Sequence, residues 1–248
     1  MKERGMIFNG EMVRAILDGR KTQTRRIMKV QPENAELGLR RITDSSVAKE
    51  VGMYFWCLAD ACGVKHRSNL FSCPFGVVGD RIWVRETFAT LGNEDGCAID
   101  WNENLVKDGG PDAARIYRAS CTQGDYGLWQ IPDDADWKPH TEGMQYDGAW
   151  TPSIHMPRWA SRITLEITGV RVERLQDISE EDAEAEGIDM EALADAQDCY
   201  DCIADHNFTG RPTAAGHFSY LWQSIYGAES WQANPWVWVV EFMVIGRE

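Results

Sequence analysis

The sequence lacks the hydrophobic segments that would direct or anchor a chain in a membrane. It contains no run of about eighteen apolar residues, the length that suggests a membrane-spanning helix. Residues 1–5 also lack the apolar stretch and the small-residue cleavage site of a secretory leader. We therefore expect a cytoplasmic protein with no membrane partner.

Disulfide bonds are not expected to organise the fold. The seven cysteines are odd in number and irregularly spaced, and the 248-residue chain is far longer than a disulfide-stabilised mini-domain. Most of the thiols should therefore be reduced, as in a reducing compartment.

Positive charge is scarce. Lys and Arg number 25 against 39 Asp and Glu, which gives a net charge of −14 at pH 7. Repulsion at that charge opposes nonspecific binding to a polyanion, because it works against counterion release. Any role with a nucleic acid would therefore require a local basic patch.

The remaining composition is that of a globular protein with a substantial core. Hydrophobic side chains make up 44% of the chain, and we predict a single elaborated domain over residues 1–248. The chain has 11 tryptophans, a high number. Core packing is the expected role of most of them, as for Trp236 and Trp238 in a strand-like run.

The start of the chain predicts a strand, a helix and a polar segment. Residues 6–8 read as a short strand, and Asn9 is a candidate N-cap for a helix whose apolar residues recur on one face until Gly19. The next segment, residues 20–26, contains four cationic side chains: Arg20, Lys21, Arg25 and Arg26. It is the main local exception to the acidic total.

Further strands are predicted at the centre and end of the chain. They cover residues 79–87, 162–175 and 236–242, and in the second of these Gly169 shifts the alternation, as a β-bulge or bend would. Helices are predicted from Ser179 to about Gly187, over 190–206 and over 214–226. This pattern indicates a mixed α+β domain.

Residues 19–26 carry a recognisable motif directly after the predicted first helix. It reads Gly, any residue, Lys, two residues, Thr, one residue and Arg, with Gly19, Lys21, Thr24 and Arg26 at the four defined positions. On this motif the chain resembles the ASCH group of PUA-like domains.

Four more segments resemble the larger phage and prophage branch of that group, often labelled morphogenetic. They follow in order along the chain at residues 73–76, 79–87, 156–163 and 234–242. The stretches 30–71 and 91–150 carry little of the resemblance, and we interpret residues 30–71 and 91–158 as insertions into a smaller domain. A phage-encoded chain would work in the cytoplasm of its host.

The resemblance implies both a fold and an activity. The family fold is a PUA-like β-barrel, here with flanking helices and large insertions, and it is related to modules that bind RNA or modified bases. Small members are amidohydrolases that remove acyl groups from N4-acetylcytidine, with a Lys and a Thr of the motif and a downstream Glu. The matching catalytic residues are Lys21, Thr24 and Glu186, the last from the similarity of residues 175–188.

These three side chains suit amide hydrolysis. The reaction needs a nucleophile, a base that takes its proton and positive charge near the developing oxyanion. Either Lys21 or Glu186 could accept the proton of the Thr24 hydroxyl, or Thr24 could position a water that Glu186 activates. The plainer interpretation is a polar surface loop and a solvated helix residue.

Other side chains are candidates for binding the substrate: Arg20, Arg25, Arg26, Arg85 and His155. An Arg could hold a phosphate or carbonyl oxygen, although a surface ion pair is the common alternative. For a lone His without a visible partner, a structural hydrogen bond is the usual role.

No metal or other cofactor is predicted. One weak group of zinc-type ligands consists of Cys57, Cys62, His66 and Cys73, whose gaps do not form paired short spacings. A second consists of Cys199, Cys202 and His206, where buried helical thiols are the usual explanation.

Three functions therefore stand as hypotheses. The first is an enzyme that acts on an N4-acylated cytidine or another modified pyrimidine nucleoside or nucleotide. The second is a non-catalytic module that binds RNA or a modified base, with residues 20–29 on the phosphates. The third is a phage accessory protein that contacts a phage or host protein through its inserted regions.

Overall fold

The computed structural model describes residues 1–60, 63–93, 95–121, 150–191 and 213–247. Its strands are β1 (Glu3–Ile7), β2 (Gln23–Ile27), β3 (Gly38–Arg41), β4 (Tyr54–Asp60), β5 (Gly63–Arg67), β6 (Arg81–Arg85), β7 (Phe88–Thr90), β8 (Arg115–Tyr117), β9 (Ile163–Arg174) and β10 (Trp236–Arg247). The α-helices are α1 (Gly10–Leu17), α2 (Glu180–Ala185), α3 (Ala214–Tyr226) and α4 (Ala228–Gln232). The predicted α+β class is confirmed.

The largest sheet has five strands in the order β1-β6-β9-β10-β2. Strands β1 and β6 are parallel, and the other neighbouring pairs are antiparallel. The described strands form three sheets in all, and none of these closes into a barrel. The PUA-like barrel therefore stays a prediction.

Strand β10 separates two hydrophobic cores. Because side chains alternate along a strand, Trp238 and Val240 point into the main core, whereas Val237 and Val239 point into a second core. The second core contains Phe218 of α3. Cross-strand partners share a face, so the register on β10 decides which core each residue of β2 meets.

The predicted irregularity at Gly169 is confirmed. In the β9–β10 ladder Gly169 pairs with Glu241, but the next pair joins Ile167 to Phe242, so β9 has one extra residue there. A Cβ atom at position 169 would lie 2.2 Å from the Glu241 Oε2 atom. Only glycine fits at this bulge without a shift of its neighbour.

The two stretches interpreted as insertions contain strands that the sequence pattern does not reveal. Strands β3, β4 and β5 form an antiparallel sheet, and the Tyr54 ring of β4 packs edge-on against Trp238, with ring centroids 5.1 Å apart. Strand β8 of the second stretch pairs with β7, which lies just before that stretch, beside a small core of their own. Both added sheets therefore rest on hydrophobic contacts rather than extending as free loops.

The predicted helices are recovered where the structure describes them. Asn9 caps α1 by accepting a hydrogen bond from the Met12 backbone N–H, and Ser179 caps α2 by accepting one from Asp182. All but the start of the predicted 190–206 helix lies outside the described residues. None of the helices within the described ranges is both long and apolar enough to cross a bilayer.

Two glycines follow the helices α1 and α2, one at the start of the motif in residues 19–26 and one in the turn that contacts it. Gly19 follows α1 with φ +80°, and Gly187 follows α2 with φ +96°, a left-handed conformation that other residues rarely adopt. A Cβ at Gly19 would meet nothing within 4 Å. At Gly187 it would lie 2.8 Å from the Ala15 Cβ atom and 2.9 Å from the Lys21 Cβ atom.

This difference predicts unequal costs for two similar substitutions. Gly19→Ala should lower the free energy of unfolding by about 1 kcal/mol, because only the backbone conformation is strained. Gly187→Ala should lower it by about 3 kcal/mol, because the methyl group also overpacks against α1 and Lys21. Urea unfolding of both variants measures the difference, and equal costs would show that the two turns are not tightly packed together.

Candidate functional site

The motif segment lies against the turn that follows α2. The Lys21 backbone N–H donates to the Ala15 carbonyl, 2.9 Å away, and the Thr22 N–H donates to the Ala185 carbonyl, also 2.9 Å away. Lys21 and Glu186 form an isolated antiparallel bridge between the two segments. These backbone contacts bring together residues that are 165 positions apart in the sequence.

A buried ion pair joins Lys21 to Glu186. The Lys21 Nζ atom lies 2.7 Å from the Glu186 Oε2 atom and donates a second bond to the Glu186 backbone carbonyl, also at 2.7 Å. The exposed fractions of the two side chains are 0% and 3%. A lysine and a glutamate at this depth must be paired, because an isolated charge would lose its hydration without compensation.

Arg25 extends the pair into a larger buried network. Its guanidinium donates to Glu186 at 3.3 Å, to Asp182 at 2.7 Å and to Glu173 at 3.0 Å, and its side chain has no exposed area. The Arg25 Cζ atom also lies 5.9 Å from the centre of the Phe218 ring. Arg25 therefore neutralises carboxylates from β9, α2 and the turn after α2.

A second arginine, which is partly exposed, joins the same network of carboxylates. Arg171 of β9 donates to both carboxylate oxygens of Asp182 at 2.8 Å and also bonds Glu173 and Glu241. Partial burial of Asp182 would raise the pKa of its carboxyl, but the hydrogen bonds from Arg25 and Arg171 outweigh that effect and lower the pKa from 3.8. Asp182 therefore stays ionised in mildly acidic solution.

Burial changes the protonation of Lys21. Complete removal from water lowers the pKa of the Lys21 ammonium from 10.5, and this effect exceeds the opposing attraction to Glu186. The charges of Arg26 and Arg25 act in the same direction as burial. Lys21 can therefore release its proton at a lower pH than an exposed lysine, which suits a group that accepts and returns protons.

Thr24 faces the other side of β2. Its cross-strand partner is Val240, which belongs to the main core, whereas Arg25 is paired with Val239 in the second core. Thr24 is buried, with 1% of its surface exposed. Within the described ranges its hydroxyl makes no hydrogen bond to Lys21 or Glu186. The structure thus brings Lys21 and Glu186 into contact but leaves Thr24 outside their hydrogen-bonded pair.

An open cleft of about 450 Å³ adjoins the ion pair. It runs between α1, the turn after α2 and α3, and its lining includes Glu11, Arg14, Arg20, Glu186, His217 and Tyr220. Of the predicted catalytic set, Glu186 belongs to this lining, whereas Lys21 and Thr24 are buried and do not. A ligand in the cleft would therefore approach the pair from the glutamate side.

The predicted substrate-binding arginines are engaged within the protein. Arg20 donates to the Gly187 carbonyl at 2.8 Å and pairs with Asp18 at 3.0 Å, although it also lines the cleft. Arg26 donates to the Ile7 carbonyl at 2.8 Å, and its guanidinium lies over the Phe8 ring. Residues 20–26 are therefore much less available to a phosphate than their composition indicates.

The remaining two candidates lie in a different part of the fold. Arg85, at the end of β6, donates to the backbone carbonyls of Ser153 and Ile154 and lies over the Trp83 ring. His155 follows in the same turn and is exposed. Neither side chain makes a hydrogen bond to the Lys21–Glu186 pair in the described structure.

The cysteine and histidine candidates do not form a metal centre in the part of the chain that can be described. There, no three His, Cys, Asp or Glu side chains are grouped so that they could hold a metal ion. Cys57 is buried in β4, His66 is exposed on β5, and Cys73 is buried in the main core. Cys62, Cys199, Cys202 and His206 lie outside the described residues.

Sequence reasoning overlooked three members of the network, Arg171, Glu173 and Asp182. A signal for the first two was present, because Arg171 and Glu173 occupy alternate positions of β9 and so point to one face. Asp182 was interpreted only as an acidic residue in the first turn of a helix. In the structure it also accepts hydrogen bonds from both arginines.

Comparison of the chain with family models, with curated proteins and with solved structures found no match.

The buried pair predicts strong coupling in a double-mutant cycle. Lys21→Met and Glu186→Gln should each lower the free energy of unfolding by about 3 kcal/mol, because the first leaves buried Glu186 with Arg25 alone and the second leaves the buried Lys21 ammonium without a carboxylate. The double variant should cost about 1 to 3 kcal/mol less than the sum of the single variants. Urea unfolding of all four proteins provides the measurement.

An exposed ion pair supplies the control for that cycle. Arg158 and Glu3 lie 3.2 Å apart with exposed fractions of 45% and 39%. The corresponding cycle, Arg158→Met with Glu3→Gln, should give a coupling below about 1 kcal/mol. Similar coupling in both cycles would contradict the buried, tightly paired state of Lys21 and Glu186.

The lowered pKa of Asp182 predicts a loss of stability in acid. At neutral pH the ionised Asp182 contributes to the free energy of unfolding. Between its lowered folded pKa and the unfolded value of 3.8, the unfolded chain binds more protons at Asp182 than the folded chain does. That contribution is therefore lost as the pH falls through this range. Asp182→Asn should therefore lose less stability than the parent protein between pH 5 and about pH 2.5. Urea midpoints at the two pH values test this, with Asp177→Asn, at an exposed site, as the control. Equal acid losses in parent and Asp182→Asn would refute it.

Proposed function

We propose that this protein is an amidohydrolase-like enzyme that acts on N4-acylated cytidine or another modified pyrimidine nucleoside or nucleotide. The observation that carries the proposal is the buried Lys21–Glu186 ion pair, with its 2.7 Å contact beside an open cleft. The motif in residues 19–26 and the resemblance to ASCH domains add the substrate class. The PUA-like barrel and its flanking insertions belong to the same proposal.

The ion pair supplies two of the chemical requirements for amide hydrolysis. Lys21, with its lowered pKa, exchanges a proton more readily than an ordinary lysine. Glu186 lines the cleft while it holds Lys21 and Arg25, so it links the buried cations to a ligand. Once Glu186 has taken up a proton, the charges of Lys21 and Arg25 are no longer balanced by it, and they then favour an oxyanion that develops near the glutamate.

Water is the nucleophile that best fits the geometry. The Thr24 hydroxyl lies on the other face of β2 from Arg25, so Thr24 supports the strand rather than attacking the substrate. The water oxygen bonds to the acyl carbon while its proton passes to the Lys21–Glu186 pair. The carbon–N4 bond then breaks and N4 takes up a proton, which yields a carboxylic acid and the free cytosine amine.

A second function, binding without catalysis, is favoured by a specific observation. The Arg25 guanidinium contacts three carboxylates, and Lys21 is shielded from the cleft, so the network could simply hold the cleft in shape. Tyr220 lines the cleft with 71% of its surface exposed, and an exposed ring can stack on a base. In that case the cleft recognises a modified base and releases it unchanged.

Turnover of N4-acetylcytidine, followed by chromatography, tests the enzyme directly. Glu186→Gln should lower kcat/KM at least about 100-fold, the scale of a lost general acid–base group. Thr24→Val, which keeps the shape of the side chain but removes the hydroxyl, should retain activity within about threefold. Lys107→Gln, at an exposed site, is the control and should match the parent protein.

The alternatives give different results in the same assay. Loss of activity in Thr24→Val with activity retained in Thr24→Ser would assign the attack to the Thr24 hydroxyl. Binding of N4-acetylcytidine by the parent protein without turnover would replace the enzyme with the non-catalytic module. Unfolding midpoints of every variant must be measured as well, because loss of the Glu186 charge also destabilises the fold.

A further inference from the structure

The small sheet β3–β4–β5 has an unusual charge for this protein. Its two edge strands contain Arg40, Arg41, Lys65 and Arg67 and no acidic residue, although Asp and Glu outnumber Lys and Arg by 39 to 25 in the chain. All four side chains are exposed, as is His66 on β5. Charge of either sign would protect an edge strand from aggregation, so protection alone does not explain why every charge here is positive.

One residue from each strand, Arg40 of β3, Phe55 of β4 and Arg67 of β5, contributes to a single outward face of the small sheet. The register pairs Arg40 with Phe55 and Arg67 with Cys57, and paired residues lie on the same side of a sheet. Tyr54 and Trp56, which alternate with Phe55 along β4, belong to the main core. Arg40, Phe55 and Arg67 therefore point away from that core.

The outward face combines cations with a stacking surface. The Arg67 Cζ atom lies 4.3 Å from the centre of the Phe55 ring, so the guanidinium and the ring form a layered pair. Strands about 4.8 Å apart put β3 about 10 Å from β5, with Phe55 on the strand between them. Arg40 and Arg67 have no ion pair with a carboxylate among the side chains that the structure describes. A carboxylate close to this sheet is that of Glu33, 4.0 Å from His66 Nε2.

We propose that the outward face of β3–β4–β5 binds single-stranded nucleic acid. Arg40 and Arg67 contact phosphates, and a base stacks on the Arg67–Phe55 pair, since bases stack on both aromatic rings and guanidinium planes. An acidic peptide would use the arginines but would gain nothing from the pair of exposed Arg67 and half-buried Phe55. This surface is separate from the Lys21–Glu186 cleft and does not depend on the function proposed for it.

The location accounts for how an acidic chain could bind a polyanion. The arginines of residues 20–26 are committed to carboxylates, carbonyl groups and the Phe8 ring, so they offer few donors to phosphates. The small sheet instead groups its cations on its two edge strands, neither of which contains an acidic residue. Salt screens the repulsion from more distant acidic groups, but each phosphate contact releases a counterion, so binding at this sheet should weaken as the salt concentration rises.

Fluorescence anisotropy of the full chain with labelled 12-nucleotide oligo-uridine and oligo-thymidine tests the proposal. At 50 mM salt the parent protein should bind, and Arg40→Gln combined with Arg67→Gln should weaken binding at least about tenfold. Removal of two phosphate contacts should also reduce the slope of log affinity against log salt by about 1.4. Phe55→Leu should weaken binding about fivefold or more with no change in slope, because it removes stacking and not charge.

The matched control removes two other exposed cations. Lys2→Gln combined with Lys107→Gln makes the same change in net charge and should bind within about twofold of the parent protein. The charge variants, which change exposed side chains, should share the unfolding midpoint of the parent. Tighter binding of the RNA than of the DNA, or the reverse, would identify the preferred strand.

Three outcomes would overturn the proposal. They are the absence of binding by the parent protein at 50 mM salt, equal losses in the two double variants, and binding of poly-glutamate without binding of either oligonucleotide. None of these results depends on turnover of N4-acetylcytidine, so they leave the function proposed for the cleft unaffected.

Discussion

The arrangement around the cleft depends on keeping two cations, Lys21 and Arg25, neutralised away from water. Each is fully buried, and an unpaired buried charge would destabilise the fold by more than most single contacts contribute. Glu186 serves both cations, and the remaining charge of Arg25 is met by β9 and α2. The turn after α2 must therefore reach β2 with the correct register, which explains why a glycine at position 187 is packed so closely against Lys21.

The same requirement connects the site to the sheet. Arg25 meets its carboxylates only because β2 pairs with β10 in a register that directs it toward the second core, where α2 and α3 pack. A shift of one residue would exchange the faces, so that Thr24 met the carboxylates and Arg25 entered the main core. The hydrophobic alternation of β10 thus fixes the register on which the polar network depends. Packing and electrostatics specify the same strand alignment.

Features encoded by neighbouring residues could be predicted from the sequence. The caps Asn9 and Ser179 and the bulge at Gly169 follow from local backbone and hydrogen-bonding preferences, and the structure contains all three. The burial of Arg25 could not be predicted in this way. Its carboxylate partners lie about 150 residues further along the chain, and a polar basic segment without those partners reads as exposed. Strands β3 and β5 were missed because they are short and basic, and β4 because it is apolar on both faces and so does not alternate.

The position of β10 in the chain has a consequence for synthesis on the ribosome. Strand β2 pairs with β10, more than 200 residues later, and without it the edge of β2 and one long side of β9 have no partner in the sheet. Pairings over such distances raise the relative contact order and slow folding, because the chain must lose the entropy of closing a large loop before the stabilising contacts form. A nascent chain would expose the apolar faces of β9 and α1 until β10 emerged. Transiently exposed apolar faces and unpaired strand edges of this kind favour aggregation, so late completion of the sheet makes the incomplete chain prone to it.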